Sequence, residues 1–228
     1  WEDEECDKLN GSDGTIYSPT LVSRKQTLSV FSEGSCRIAK LYYEKETTTH
    51  GLPTMKYNLD PRLMDPYNEN NICFCPENNC SPNGTQNVAP CAFGSPIFVS
   101  LPHFASSDKT LQDSISGLAP GVNRNINAFH IHKTFGVLLS GRTGIQINAL
   151  VSSTKDVSAL NGLKVGTYLP IAWLEMDLTS PPQDMIQLLK RLSITISSVE
   201  FFLKYITILI AFICLVKLIQ VIYMSAKL

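Results

Sequence analysis

The stretch that decides the fold runs from Cys73 to Phe104 and reads CFCPENNCSPNGTQNVAPCAFGSPIFVSLPHF. It holds four cysteines, which are Cys73, Cys75, Cys80 and Cys91. An apolar, β-branched run follows them and ends at Pro102. Outside the stretch the chain has three further cysteines, Cys6, Cys36 and Cys214. The state of these thiols indicates the compartment, because disulfides persist in secretory lumens and are rare in the cytosol.

Zinc ligation is one explanation of such a cluster, and the spacing argues against it. Structural zinc sites usually take cysteines in closely spaced pairs, because one tight turn then aims two thiolates at one metal. Only Cys75 and Cys80 approximate such a pair, and no second pair follows them. We therefore expect no metal and no other cofactor.

Three N-glycosylation acceptors of the pattern Asn-x-Ser/Thr favour the disulfide interpretation. They begin at Asn10, Asn79 and Asn83. Asn79 is the least suitable, since its middle residue is Cys80, whereas the other two lie in turn-forming sequence. Acceptors interleaved with an even set of cysteines predict an oxidising compartment. Six cysteines can pair in many ways, so spacing leaves the connectivity open.

Several segments resemble the class B scavenger receptor family, the group of fatty-acid translocase (platelet glycoprotein IV). The likeness rests on the CFC…C…C pattern followed by PIFVSLPHF, and on the opening WEDEECDKLNGSDG of residues 1–14. The segment from Phe31 to Arg37, the strand Gln146-Ile-Asn148 and the YLPIAWL of residues 168–174 also match. The resemblance therefore covers nearly the whole chain.

This resemblance implies a disulfide pairing and a fold. The implied bridges are Cys6–Cys73, Cys36–Cys91 and Cys75–Cys80. The implied fold is α+β: a β-rich, antiparallel, barrel-like ectodomain with short helices, crossed by an apolar tunnel that leads lipid to the bilayer. The resemblance also implies that this chain is the C-terminal part of a longer protein. Many short strands of alternating polarity independently favour an antiparallel ectodomain.

Two predicted strands carry apolar faces that suit either a tunnel wall or the core of the barrel. These faces are Ile97, Val99 and Leu101 on one strand, and Ile145, Ile147 and Ala149 on another. Periodicity does not separate wall from core, because both are apolar. The second strand is predicted to belong to a hairpin that turns at residues 140–144. A phosphate-binding loop nearly matches residues 136–143, but a strand-like pattern follows instead of a helix.

The search for catalytic or metal-binding side chains gives one weak pair. His130 and His132 flank Ile131, and two histidines on one strand face could bind a metal. No third ligand is identifiable, so we interpret the pair as an exposed polar face. Relatives often have an acidic residue and then a proline where this chain has His132 and Lys133. No nucleophile with a base can be named, and we expect no enzymatic activity.

The C-terminal region predicts a membrane-spanning helix. Ser180-Pro-Pro is typical of a helix start, and residues 205–216 carry no charge between two lysines. That run is too short to cross about 30 Å of hydrocarbon, which leaves a buried helix as the alternative. Lysine side chains that reach the interface extend the span to Phe201–Ile222. We divide the chain into an ectodomain (1–198), a membrane helix (199–222) and a cytosolic tail (223–228).

These features together predict a membrane receptor. The net charge of −1 gives no indication of nucleic-acid binding. The resemblance implies a plasma-membrane scavenger receptor that binds lipids, lipoproteins or lipid carriers and transfers a fatty acid, sterol ester or carotenoid to the bilayer. Its ligand-capture residues are expected upstream of this chain. The alternative is an adhesion or cargo-binding glycoprotein, similar to the lysosomal or sensory-neuron members, in a lysosomal or endosomal membrane.

Overall fold

The computed structural model describes residues 4–75, 79–121, 127–153 and 162–225. The chain divides into two units, Trp1–Ser180 and Pro181–Leu228. The first unit is built on one antiparallel sheet, and the second is one long helix.

The described residues of the first unit contain eight strands. They are β1 (Leu28–Ser32), β2 (Arg37–Thr49), β3 (Leu52–Leu59), β4 (Thr85–Asn87), β5 (Ile97–Ser100), β6 (Ala128–His132), β7 (Leu138–Leu150) and β8 (Tyr168–Asp177). The order across the sheet is β1-β2-β3-β6-β7-β5-β4, and β8 pairs with β7. A short helix, α1 (Glu4–Asp7), precedes the strands. Between the strands lie α2 (Lys109–Gln112) and the 3-10 turns Glu33–Ser35, Glu69–Phe74, Ala89–Cys91 and Pro102–Phe104. The predicted fold class, β-rich and antiparallel with short helices, is confirmed.

Strand β7 connects the two halves of the sheet. Its one edge pairs with β8 over residues 142–150, while its other edge pairs first with β6 and then with β5. The predicted turn at residues 140–144 is wrong, because β7 runs straight through it and the turn lies at residues 133–137. Gly141 has a different reason to be small: a Cβ there would lie 3.2 Å from Cδ1 of Phe129, its partner on β6. Glycine in a strand often marks such a close approach.

A closed core lies on one face of β1, β2, β3 and β6. It consists of Tyr17, Val22, Leu28, Leu41, Met55, Tyr57 and Ile131, all at most 5% exposed. Tyr17 and Val22 come from the segment before β1, which covers this face. The hydroxyl of Tyr57 donates to the carbonyl of Ser23 in the same segment, over 2.9 Å. Full burial of one such side chain contributes about 1.5–3 kcal/mol.

The second unit is the helix α3 (Gln183–Ser225). The most apolar 18-residue window within Gln183–Ile222 has a mean hydropathy of 2.5, and none of that window is buried. At about 1.5 Å per residue the helix is roughly twice as long as the hydrocarbon layer is thick. Its length and composition fit a transmembrane span. The boundaries at residues 198 and 222 and the cytosolic tail stay predictions, and residues 226–228 lie outside the described residues.

Candidate functional site

One side of β5, β7 and β8 carries an apolar surface that is only partly covered. Register places Ile97 opposite Ala149 and Val99 opposite Ile147, so that these four share one face. On β8, Leu174 lies opposite Ile145, and Met176 lies two residues further along the same face. We call this surface the open face; it consists of Ile97, Val99, Ile145, Ile147, Ala149, Leu174 and Met176.

The residues of the open face on β8 are more exposed than those on β5 and β7. Val99 is 2% exposed, and the other residues of the open face on β5 and β7 are half-buried. Leu174 is 58% exposed and Met176 is 65% exposed, so the β8 rim is the most accessible part. Leu101 follows β5 and is half-buried outside the strand. The open face is thus a shallow apolar wall without a complete cover among the described residues.

On the opposite face, β5 and β7 carry buried polar side chains. Ser100, Gln146 and Asn148 are all 0% exposed. The amide of Gln146 donates to Oδ1 of Asn148 over 2.8 Å, and the amide of Asn148 donates to Oγ of Ser100 over 3.0 Å. Buried amides are stable only when they are hydrogen-bonded, and this polar network meets that requirement.

The polar network holds the turn Pro102–Phe104 against β7. Oε1 of Gln146 accepts the backbone N–H of His103 over 2.8 Å. His103 and Phe104 both have a positive φ, 57° and 52°, which is unfavourable for residues with a side chain. Phe104 is 0% exposed, so its burial and the bond to Gln146 compensate for the backbone conformation. Strands β5 and β7 are therefore backed rigidly on the side away from the open face.

A second polar cluster surrounds Arg37 at the start of β2. Nη1 of Arg37 donates to Oε1 of Gln86 over 3.0 Å, and Nη2 donates to Asn71. The guanidinium lies 3.9 Å from the ring centre of Phe74. Burial lowers the pKa of Arg37 to about 10, although the nearby charge of Asp60 acts in the other direction. The side chain stays charged at neutral pH and ties three segments together.

The cavity beside this cluster has a volume of about 860 Å³. Its lining includes Lys40, Asp60 and Arg62 as well as Arg37. Asp60 accepts the backbone N–H of Arg62 over 2.9 Å, so its carboxylate is already engaged. Such a charged lining suits water and polar groups.

Comparison with known proteins identifies the family. The sequence matches the CD36 family over residues 1–222. The chain belongs to the CD36 family. It is 31% identical over 180 residues to "Scavenger receptor class B member 1" of Rattus norvegicus, which covers 77% of this chain and 34% of that protein. The resemblance stated from the cysteines and flanking motifs is confirmed.

The chain is also similar to proteins with other names. "Sensory neuron membrane protein 1" of Mamestra brassicae is 31% identical over 178 residues, covering 77% of this chain and 33% of that protein. "Lysosome membrane protein 2" of Rattus norvegicus is 29% identical over 174 residues, covering 76% and 36%. The chain spans about a third of the length of the curated relatives it matches.

Three disulfides brace the first unit of this CD36-family chain. They are Cys6–Cys73, Cys36–Cys91 and Cys75–Cys80, with Cα–Cα distances of 6.1, 6.2 and 4.5 Å. The bridge between Cys36 and Cys91 joins the start of β2 to the segment before β5. It thus links the closed core to the open face covalently. Cys214 is free and lies on α3.

The three glycosylation acceptors differ in accessibility. Asn10 and Asn79 are exposed, whereas Asn83 is half-buried and its amide donates to Asp108 over 3.3 Å. Thr85, the third residue of the last acceptor, is buried and its hydroxyl donates to the carbonyl of Pro82. Glycan attachment at all three stays a prediction.

The histidine pair is not an exposed polar face, and that interpretation is wrong. His132 is 0% exposed, and its Nδ1 accepts the backbone N–H of Thr134 over 3.1 Å and of Phe135 over 3.2 Å. His130 is half-buried, with its Nδ1 3.1 Å from the hydroxyl of Thr47. Burial lowers the pKa of both rings. Among the described residues no group of three or more metal-ligating side chains occurs.

Sequence reasoning predicted neither the buried polar network of Ser100, Gln146 and Asn148 nor the buried cluster around Arg37. It treated residues 145, 147 and 149 as the inward positions, which assigned Gln146 and Asn148 to the outside. It missed the turn Pro102–Phe104, which covers that outer side.

Proposed function

We propose that this chain forms part of the wall of a lipid-conducting tunnel in a receptor that binds lipids, lipoproteins or lipid carriers. The open face carries the proposal: it is apolar, accessible at its β8 rim and supported from behind by a sealed polar network. A wall of this kind works by removing apolar ligand surface from water, at about 25 cal/mol per Å². The proposed cargo is a fatty acid, sterol ester or carotenoid.

The arrangement of rigid and open surfaces supports this role. A conducting wall has to keep its shape while ligands pass, and the bonds of Gln146 and Asn148 fix the two central strands. A smooth apolar wall also holds each ligand weakly, because it offers no hydrogen bond to retain the ligand. Downstream of this ectodomain, α3 provides a helix that fits the bilayer. We place the receptor at the plasma membrane, with the lipid delivered to the outer leaflet.

A second candidate is a receptor that binds protein cargo in a lysosomal or endosomal membrane. It is supported by the similarity to a protein named "Lysosome membrane protein 2", at 29% identity. Uptake of a fluorescent fatty acid separates the two, because only a conducting receptor accelerates the entry of lipid into cells.

The direct test is to narrow the proposed tunnel at its wall. Replacing Ile147 with Trp adds bulk to the middle of the open face, and Val165→Trp is the matched control at a position 57% exposed. We expect Ile147→Trp to lower uptake of fluorescent fatty acid several-fold at unchanged surface expression, and Val165→Trp to leave it unchanged. Normal uptake by well-expressed Ile147→Trp and Ile145→Trp proteins would show that the open face is not part of the tunnel wall.

A further inference from the structure

The turn between β6 and β7 is held by an imidazole ring that must be unprotonated. Nδ1 of His132 accepts two backbone N–H groups, those of Thr134 and Phe135, and a nitrogen that accepts cannot carry a hydrogen itself. The ring is 0% exposed and stacks on Phe135, with 4.8 Å between ring centres. A proton on Nδ1 would therefore break both bonds and place a charge in a buried position.

This turn also anchors the segment that closes the core. The backbone N–H of Tyr17 donates to the carbonyl of Gly136 over 2.8 Å, and that of Leu138 donates to Thr15 over 3.0 Å. Gly136 has φ +69°, and a Cβ on it would overlap the carbonyl oxygen of Tyr17. Tyr17 belongs to the closed core. A change in the turn is consequently transmitted to the cover of that core.

The charged groups around His132 have partners of their own. On β2, Glu46 accepts from Lys133 of the turn at 3.4 Å and from Arg24 at 3.2 Å. On β3, Lys56 pairs with Glu44 at 2.7 Å, and the partner of His132 across the strands is the uncharged Thr54. His130, on the same strand as His132, lies against threonine hydroxyls. On the covering segment, Asp13 is bonded to Thr15.

We propose that His132 is an acid-sensitive switch: its protonation releases the turn at residues 133–137 and, with it, the covering segment at residues 15–17. Burial lowers the pKa of His132 below its ordinary value, so the folded chain binds this proton less readily than the open chain does. The closed form is therefore fully favoured above about pH 6.5, and it loses stability as the pH falls below that value. The switch would open in an acidified compartment, independently of the tunnel.

Hydrogen–deuterium exchange on the whole detergent-solubilised protein tests the switch. After correction for intrinsic rates, exchange at residues 15–17 and 133–137 should rise by up to about tenfold per pH unit below about pH 6.5. Exchange in β3, within the same sheet, should stay flat over that range. A wild-type profile that is flat down to pH 5 in the turn and the covering segment would overturn the proposal without any variant.

Two variants test whether the acid-induced exchange depends on the imidazole ring of His132. His132→Asn keeps a neutral acceptor near the same place, since the amide oxygen of asparagine can replace Nδ1. We expect it to abolish the acid-induced exchange, while His130→Asn on the same strand retains it. Persistence of the acid response in His132→Asn, or its loss in His130→Asn alone, would exclude His132 as the switch. Should His132→Asn fail to fold, the wild-type and His130→Asn profiles still decide the matter.

Discussion

The closed core and the open face lie on the same side of one sheet but differ in what covers them. Phe129 packs on the closed core and lies opposite Gly141 of β7 in the strand register. Because side chains alternate along β7, Ile145 and Ile147 lie on the same side of the sheet as Phe129. The closed core is sealed by the segment with Tyr17 and Val22. The described residues cover the open face less completely: Val99 is 2% exposed, but Leu174 remains 58% exposed. Equal apolar patterning thus yields structural core in one region and available surface in the other.

The largest expected loss of stability comes from removing the disulfide Cys36–Cys91, which joins the strands of the two regions. Cys36 and Cys91 are separated by 55 residues, and a bridge that closes such a loop contributes about 4 kcal/mol. We expect the double change Cys36→Ala and Cys91→Ala to reduce surface expression and to lower the melting temperature of the purified protein. Non-reducing peptide mapping of the unmodified protein checks the pairing itself, and free thiols at these positions would contradict it.

Truncation of one side chain in each region sharpens the comparison further. Leu41 is 0% exposed in the closed core, and Leu41→Ala should cost about 3 kcal/mol of unfolding free energy. Ile147 is half-buried, and Ile147→Ala should cost about 1 kcal/mol, because part of its surface already contacts solvent or ligand. Denaturant unfolding of the two variants measures the difference. Equal costs would mean that another part of the protein covers Ile147 and makes it core.

The polar network provides the next smaller effect. Gln146→Leu removes the acceptor of the His103 N–H and one partner of Asn148, and should cost about 2 kcal/mol. Gln26→Leu is the control, because Gln26 is exposed and such surface changes usually stay within about 0.5 kcal/mol. Thermal unfolding compares the two. A neutral Gln146→Leu would show that the turn Pro102–Phe104 does not depend on this bond.

Local patterns in the sequence were sufficient to predict strands and the long helix, but not to predict which segments pack against them. The uncharged run of residues 205–216 lies within α3, because a helix is specified by neighbouring residues. The apolar positions 97 and 99 were placed correctly on one face of β5 for the same reason. The error at residues 140–144 had a distant cause: the glycine that resembles a turn residue is small because Phe129 lies across from it.

Burial of polar side chains was the part that the sequence did not reveal. His132 is covered because the turn that follows it folds back over the ring, and Gln146 is covered by a turn more than forty residues earlier. Periodicity registers neither a neighbouring turn that folds back over a strand nor a contact with a segment far away in the chain. The family resemblance supplied the cysteine pairing, which spacing had left open.

The smallest expected effect on stability falls on the exposed rim of the open face, where function and stability should separate. Met176 is 65% exposed, so Met176→Ser should change the unfolding free energy by less than about 0.5 kcal/mol. If lipid moves along this face, the same change should still reduce fatty-acid uptake, since it replaces an apolar contact by a hydroxyl that favours water. Val165→Ser, at a position that is 57% exposed and outside the strands, should alter neither quantity. Unchanged uptake in Met176→Ser together with a loss in Ile147→Trp would place the lipid path near β5 and β7 and away from β8.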